Sequence, residues 1–113
     1  MLDGPRSAPV AVVSLPAEID LTNAEVVTAR VRASLHPGAT AVIADLTSTV
    51  FCDSAGIRQL LLASDLARAS GARLLLAAPE DGAVHRVLRL TGIHRLLPAY
   101  ATVQAALDAA DGA

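Results

Sequence analysis

One serine in the sequence has surroundings that suggest a chemical role. Ser54 lies in the segment "DSAG" (53–56), between the strand-like run "VFC" (50–52) and a leucine-rich run of helical period. Asp and Ser before a helix usually accept hydrogen bonds from its first free N–H groups. A serine at such a junction can also be phosphorylated, which adds about −1.5 to −2 charges. The segment therefore indicates a helix cap, a phosphorylation switch, or both together.

Residues that could support an enzyme do not form a workable pattern. His36, His85 and His94 lie far apart in different predicted elements, and the glycines form no phosphate-binding loop or dinucleotide fingerprint. Ser54 is outside a G-x-S-x-G elbow. Cys52, at a strand end, is typical of a small buried hydrophobe. We therefore expect a non-enzymatic protein with no cofactor, nucleotide or metal.

Composition restricts the class of protein further. The 113 residues suit one domain, and the 53% apolar and 2% aromatic content predicts a core of Ala, Val, Leu and Ile. A net charge of −2 argues against nucleic-acid binding, and a single Cys excludes an internal disulfide and fits a reducing cytosol. The apolar run 8–17 is broken by Pro16 and follows only one basic residue, so we expect no signal peptide. No run reaches the ~18 residues of a membrane span, so we expect no membrane insertion.

The elements that must position Ser54 follow from the apolar pattern. Strands are predicted at 10–15, 41–46 and 72–78, with a short segment at 18–20 that suggests a hairpin with the first strand. Helices are predicted after "TNAE" (22–25), then at 54–71, 81–91 and 102–110, the last docked on the sheet edge. This alternation predicts a single α/β domain: a mixed, mostly parallel sheet of four to five strands flanked by about four helices.

The sequence predicts the start of the first helix and the exposed face of the second in more detail. "TNAE" matches a capping box with Thr22 as the cap. Asp20 is then either a cap or turn residue before the helix or, with Thr22 as the cap, free to face a partner. In the helix from Ser54, one stripe contains Ser54, Arg58, Leu62 and Asp65, and the opposite stripe contains Ile57, Leu60, Ser64 and Ala67. The first stripe is predicted to be exposed, so Leu62 is either an ordinary surface leucine or an anchor for a partner, and Arg58 lies where it could hold a phosphate on Ser54.

Three segments carry a family resemblance. "AEIDLTNAE" (17–25), "AVIADLTSTVFCDSAGIRQLL" (41–61) and "ARLLLAAPEDGAVHRVLRLTGIHRLLPAY" (72–100) resemble the STAS domain, and more narrowly the single-domain bacterial anti-sigma factor antagonists. The likeness covers about 9–110, which leaves 1–8 as a flexible N-terminal segment. It implies a mixed sheet flanked by helices, in agreement with the predicted elements.

The resemblance also implies a function. In the family, the serine corresponding to Ser54 is phosphorylated by an anti-sigma factor that is also a serine kinase, and a serine phosphatase restores it. The unphosphorylated form binds the anti-sigma factor and releases the sigma factor. We expect a cytoplasmic regulator of transcription that is a monomer when free. Its predicted partner-binding residues are Asp20, Asp53, Ser54, Ala55, Gly56, Arg58 and Leu62.

The chain departs from the family pattern at three positions. Ala17 stands where Gly is frequent, Ala55 replaces a second serine, and Arg58 replaces a small residue. Ser54 is therefore the only hydroxyl in the motif. Some relatives instead serve transporters or stress-signalling complexes, so a stably bound, unphosphorylated STAS subunit is the alternative function.

Overall fold

Short parallel strands alternate with helices in the computed structural model, which describes residues 9–111. The strands are β1 (Val10–Ser14), β2 (Glu18–Ile19), β3 (Ala41–Asp45), β4 (Phe51–Cys52), β5 (Arg73–Ala77) and β6 (Ala99–Tyr100). The helices are α1 (Glu25–Ala33), α2 (Ser54–Ala69), α3 (Ala83–Thr91) and α4 (Val103–Asp111), with a 3-10 turn at Ile93–Arg95. The predicted α/β fold class is confirmed, whereas the predicted segment 1–8 lies outside the described residues.

The strands form two sheets, and every pair in residues 9–111 is parallel. The main sheet has the order β1-β3-β5-β6, and β2 pairs with β4 in a separate small sheet. The expected hairpin between β1 and β2 is not formed. The Leu15 N–H still donates to the Asp45 carbonyl at 3.1 Å, so the chain follows β3 as far as Leu15 and leaves it only at Pro16.

The main sheet is buried on both faces, as the continuous apolar runs predict. One face of β3 and β5 packs with buried residues of α1, α2 and α3, among them Val31, Leu60 and Leu88. Their alternate residues, Ile43 and Leu75, pack with α4 through Ala106. The prediction that the last helix docks on the sheet edge is therefore wrong, because α4 lies across β3, β5 and β6 and covers the second face.

Helix α2 begins at the predicted residue and ends at Ala69, two residues before the predicted end at Gly71. It starts at Ser54, and the chain leaves it through Ser70 and Gly71, whose φ of 82° lies in the left-handed region that glycine tolerates. No helix among residues 9–111 is both long and apolar enough to cross a membrane.

Candidate functional site around Ser54

The small sheet brings two chain segments together. Strands β2 and β4 are parallel, with Ile19 opposite Cys52, and the Asp53 N–H donates to the Ile19 carbonyl at 3.1 Å. The residues that follow two paired parallel strands lie at the same edge of the sheet. Asp20 and the junction at Ser54 are therefore neighbours, although 33 positions separate the β2–β4 partners Ile19 and Cys52 in sequence.

Asp53, and not Ser54, caps helix α2. Asp53 has an extended backbone and is the N-cap of α2, because its Oδ1 accepts hydrogen bonds from Ala55 N–H at 2.9 Å and Gly56 N–H at 3.1 Å. Such a cap typically contributes about 1 kcal/mol. Ser54 is the first helical residue and is exposed, and its hydroxyl has no hydrogen-bond partner within residues 9–111. The cap is therefore Asp53, and the Ser54 hydroxyl has no structural bond to lose.

This cap changes how a phosphate on Ser54 would be accommodated. The sequence predicts that free N–H groups at the helix start would tolerate the anion. Two of those groups already bond to the Asp53 carboxylate. A phosphate would therefore lie beside a fixed negative charge, and its counter-charge would have to come from a side chain.

Gly56 holds the first turn of α2 against the small sheet. A Cβ at this position would lie 2.6 Å from Cys52 Sγ and 2.8 Å from Ile19 Cγ2, and Gly56 is buried. Only glycine permits this close approach of helix to strand. Gly56 is therefore corrected from a predicted partner-binding residue to a packing residue. Cys52 is buried as predicted, and burial raises the pKa of its thiol to about 11.

Asp20 organises the turn before α1. Its Oδ1 accepts hydrogen bonds from Thr22 N–H at 2.9 Å and from the Thr22 hydroxyl at 2.5 Å, and these bonds lower the pKa of Asp20. Helix α1 begins at Glu25 after Ala24, and no side chain caps it. The predicted capping box is therefore wrong: Thr22 supports Asp20 and not the helix, because Ser, Thr and Asp side chains bond equally well within turns.

The exposed stripe of α2 continues from Ser54. Arg58 is exposed and its side chain makes no hydrogen bond or ion pair within the described chain, and Leu62 is 46% exposed. Ile57, Leu60 and Ala67, on the other side, are buried, so the predicted division of this helix is confirmed.

Leu21 also belongs to this surface, although no sequence motif predicted it. It is 82% exposed in the turn after β2 and lines a depression of about 420 Å³ together with Ser54, Ala55 and Arg58. An apolar residue between two turn-forming polar residues is the signal that could have identified it, since turns lie on the surface.

Metal ligation receives no support from the geometry. Within residues 9–111, no group of three or more His, Cys, Asp or Glu side chains is placed to hold a metal ion.

The fold and this junction define a small α/β domain that presents a serine at the start of a helix. The family model for the STAS domain matches residues 3–106, and the chain belongs to that family. The match begins six positions before the predicted boundary at residue 9.

Solved structures of similar fold include regulators and a transporter-family protein. An anti-sigma factor antagonist from Mycobacterium paratuberculosis is 26% identical, with a TM-score of 0.79 over 97% of this chain and 99% of that chain. An anti-sigma-factor antagonist (STAS) domain protein from Planctomyces limnophilus is 25% identical, with a TM-score of 0.67 over 88% and 87%. A sulfate transporter family protein from Wolinella succinogenes has a TM-score of 0.78 over 91% and 85%, and at 16% identity it shows the fold alone. No curated protein matches the sequence.

Proposed function

We propose that this chain is an anti-sigma factor antagonist that is switched off by phosphorylation of Ser54. In its unphosphorylated form it binds an anti-sigma factor with serine kinase activity and thereby releases a sigma factor in the bacterial cytoplasm. A serine phosphatase reverses the modification. The binding function itself involves no catalysis by this chain.

The observation that carries the proposal is the separation of cap and hydroxyl at the start of α2. Asp53 supplies the helix cap, and the exposed Ser54 hydroxyl has no bond within residues 9–111. A kinase can therefore reach and modify Ser54 without removing the cap. The similarity to the two anti-sigma factor antagonists supports the same function.

The proposed partner surface surrounds that hydroxyl. It consists of the Asp20 turn with Leu21, the junction from Asp53 to Ala55, and the exposed stripe of α2 with Arg58 and Leu62. Two exposed leucines supply apolar contact area, and burial of apolar surface is the dominant favourable term in most protein–protein association. A dianion in the middle of this surface would require desolvation on binding, so phosphorylation weakens the complex.

Arg58 is the proposed counter-charge for the phosphate. It lies one helical turn after Ser54, lines two depressions together with Ser54, and its side chain has no competing partner in the described chain. A guanidinium forms strong charge-assisted hydrogen bonds with phosphate oxygens. This arrangement supports a stable phosphorylated form in spite of the neighbouring Asp53 carboxylate.

Incubation with candidate anti-sigma factor kinases and ATP, followed by intact-mass measurement, tests the proposal. One phosphate is expected on the wild type, none on Ser54→Ala, and one on Ser70→Ala, which removes an exposed serine at the other end of α2. A stably bound STAS subunit of a transporter or stress-signalling complex is the second candidate, favoured by the fold of the Wolinella protein. Co-purification with such a complex, without phosphate on Ser54, would support it.

A further inference from the structure

A cleft at the C-terminal end of α2 is lined by arginines and by the first residues of β5, which β6 does not pair. It lies at the start of β5, has a volume of about 700 Å³, and is bordered by the end of α2 and the segment before β6. Such a volume is in the range of ligand sites and exceeds the needs of a simple inorganic anion.

The charge of the cleft is positive. Arg68, Arg73 and Arg95 line it, and the carboxylate of Asp65 lies 3.2 Å from Arg68. The side chains of Arg73 and Arg95 are exposed, and neither guanidinium makes a hydrogen bond or ion pair within residues 9–111. A carboxylate ligand could therefore bind either guanidinium in a bidentate manner without displacing an internal partner.

The backbone of β5 has an unpaired position in this cleft. In a parallel sheet, the N–H and C=O of one residue point to the same neighbouring strand. Those of the next residue point to the strand on the other side. Leu76 N–H donates to the Pro98 carbonyl at 2.9 Å, so even-numbered residues of β5 face β6, whereas Arg73 N–H donates to Thr40 on the β3 side at 3.1 Å. The backbone N–H and C=O of Leu74 therefore point to the β6 side, two residues before the β5–β6 pairing begins at Leu76.

The chain before β6 cannot complete the pairing. In register, the donor to the Leu74 carbonyl would be residue 98, which is a proline and has no N–H. Leu96, the matching acceptor position, has turned away into the 3-10 segment, where its N–H donates to Ile93 at 2.8 Å. Within the described chain, neither backbone group of Leu74 has a hydrogen-bond partner, although the residue is only 3% exposed.

We propose that this cleft binds an extended acidic segment of a partner protein, which pairs with β5 at Leu74. Addition of a strand to an open sheet edge supplies backbone hydrogen bonds, and side-chain pockets give the specificity. Acidic side chains of the segment bind Arg73 and Arg95, and an aliphatic side chain packs on Leu96, which is 66% exposed. The combination of guanidinium groups, apolar walls and unpaired backbone favours a peptide over a phosphate ion or a lipid surface. This inference does not depend on the proposed switch at Ser54.

Titration with a synthetic peptide tests the inference. The probe is an acetylated and amidated Glu-Leu-Glu-Leu-Glu-Val peptide, and the readout is the amide NMR spectrum of the full chain. We expect the Leu74 amide to shift and to gain protection from hydrogen exchange. Arg73→Gln/Arg95→Gln should weaken binding about tenfold, whereas Arg32→Gln/Arg86→Gln, at exposed arginines elsewhere, should not change it. A peptide with N-methyl groups at alternate positions should not bind.

Three results would overturn the inference. A Leu74 amide that the peptide leaves unaffected would mean that water alone satisfies it. Inorganic phosphate that shifts the same amides at the same concentration would reduce the cleft to a simple anion site. Anionic lipid vesicles that bind in an Arg73- and Arg95-dependent manner while the peptide does not would make the ligand a membrane surface.

Discussion

Replacement of Gly56 by alanine is the most direct test of the packing that sets the position of Ser54. The added methyl group would lie 2.6 Å from Cys52 Sγ and 2.8 Å from Ile19 Cγ2, well inside the ordinary contact distance of about 3.5 to 4.0 Å. Overpacking of this kind costs about 1 to 3 kcal/mol. Alanine recovers up to about 1 kcal/mol of helix propensity. With that propensity recovered, the expected net loss is about 0 to 2 kcal/mol in the free energy of unfolding, or up to roughly 8 °C in Tm.

Chemical denaturation of Gly56→Ala and of two reference variants measures this loss. Ala69→Gly, at an exposed position of the same helix, calibrates the propensity of alanine over glycine without a packing change. Cys52→Ala/Gly56→Ala removes the nearer of the two colliding atoms, so its destabilisation should be smaller than the sum of the single changes. A Gly56→Ala protein that is more stable than the wild type would refute the close approach of α2 to the small sheet.

Three further predictions concern the surface around Ser54. Leu62→Ala should weaken binding to the anti-sigma factor while costing under about 1 kcal/mol in the free energy of unfolding, because Leu62 is 46% exposed; a loss of several kcal/mol would place it in the core. Arg58→Ala should lower the Tm of the Ser54-phosphorylated protein more than that of the unphosphorylated protein. Equal Tm shifts in the two forms would contradict a contact between Arg58 and the phosphate. Thr22→Val should raise the pKa of Asp20 towards the ordinary value of an aspartate in an NMR titration, because the hydrogen bond from the Thr22 hydroxyl is the largest cause of its lowering. Because the folded-state pKa is lowered, the stabilisation from Asp20 is present above its unfolded pKa and is lost as pH falls through the folded value. If the difference in the free energy of unfolding between wild type and Thr22→Val did not change with pH below about pH 4, it would contradict this.

The helices and the central strands could be predicted because their signals are local and repeated. Helix α2 has a start residue with a capping aspartate, a glycine after its end, and a 3.6-residue apolar pattern between them. Strands β3 and β5 are nearly continuous apolar runs, which is the pattern of strands covered on both faces.

The details of the site depend on contacts that a sequence pattern does not encode. Strands β2 and β4 have two residues each, too few for a periodic pattern, so their pairing could not be predicted. The Asp20 turn and a capping box use the same side-chain chemistry, and only the backbone conformation distinguishes them. The need for glycine at position 56 arises from Ile19, which is far away in sequence. The open edge at Leu74 follows from the register that places Pro98 beside β5.

The affinity of the anti-sigma factor kinase for this protein before and after phosphorylation of Ser54 tests the central claim most directly. Isothermal titration calorimetry with the unmodified protein and with the fully phosphorylated protein gives both dissociation constants. We predict that phosphorylation raises Kd at least about tenfold, equivalent to about 1.4 kcal/mol, and that Ser54→Ala binds as tightly as the unmodified wild type after incubation with kinase and ATP. Equal Kd values for the two forms would contradict the switch at Ser54.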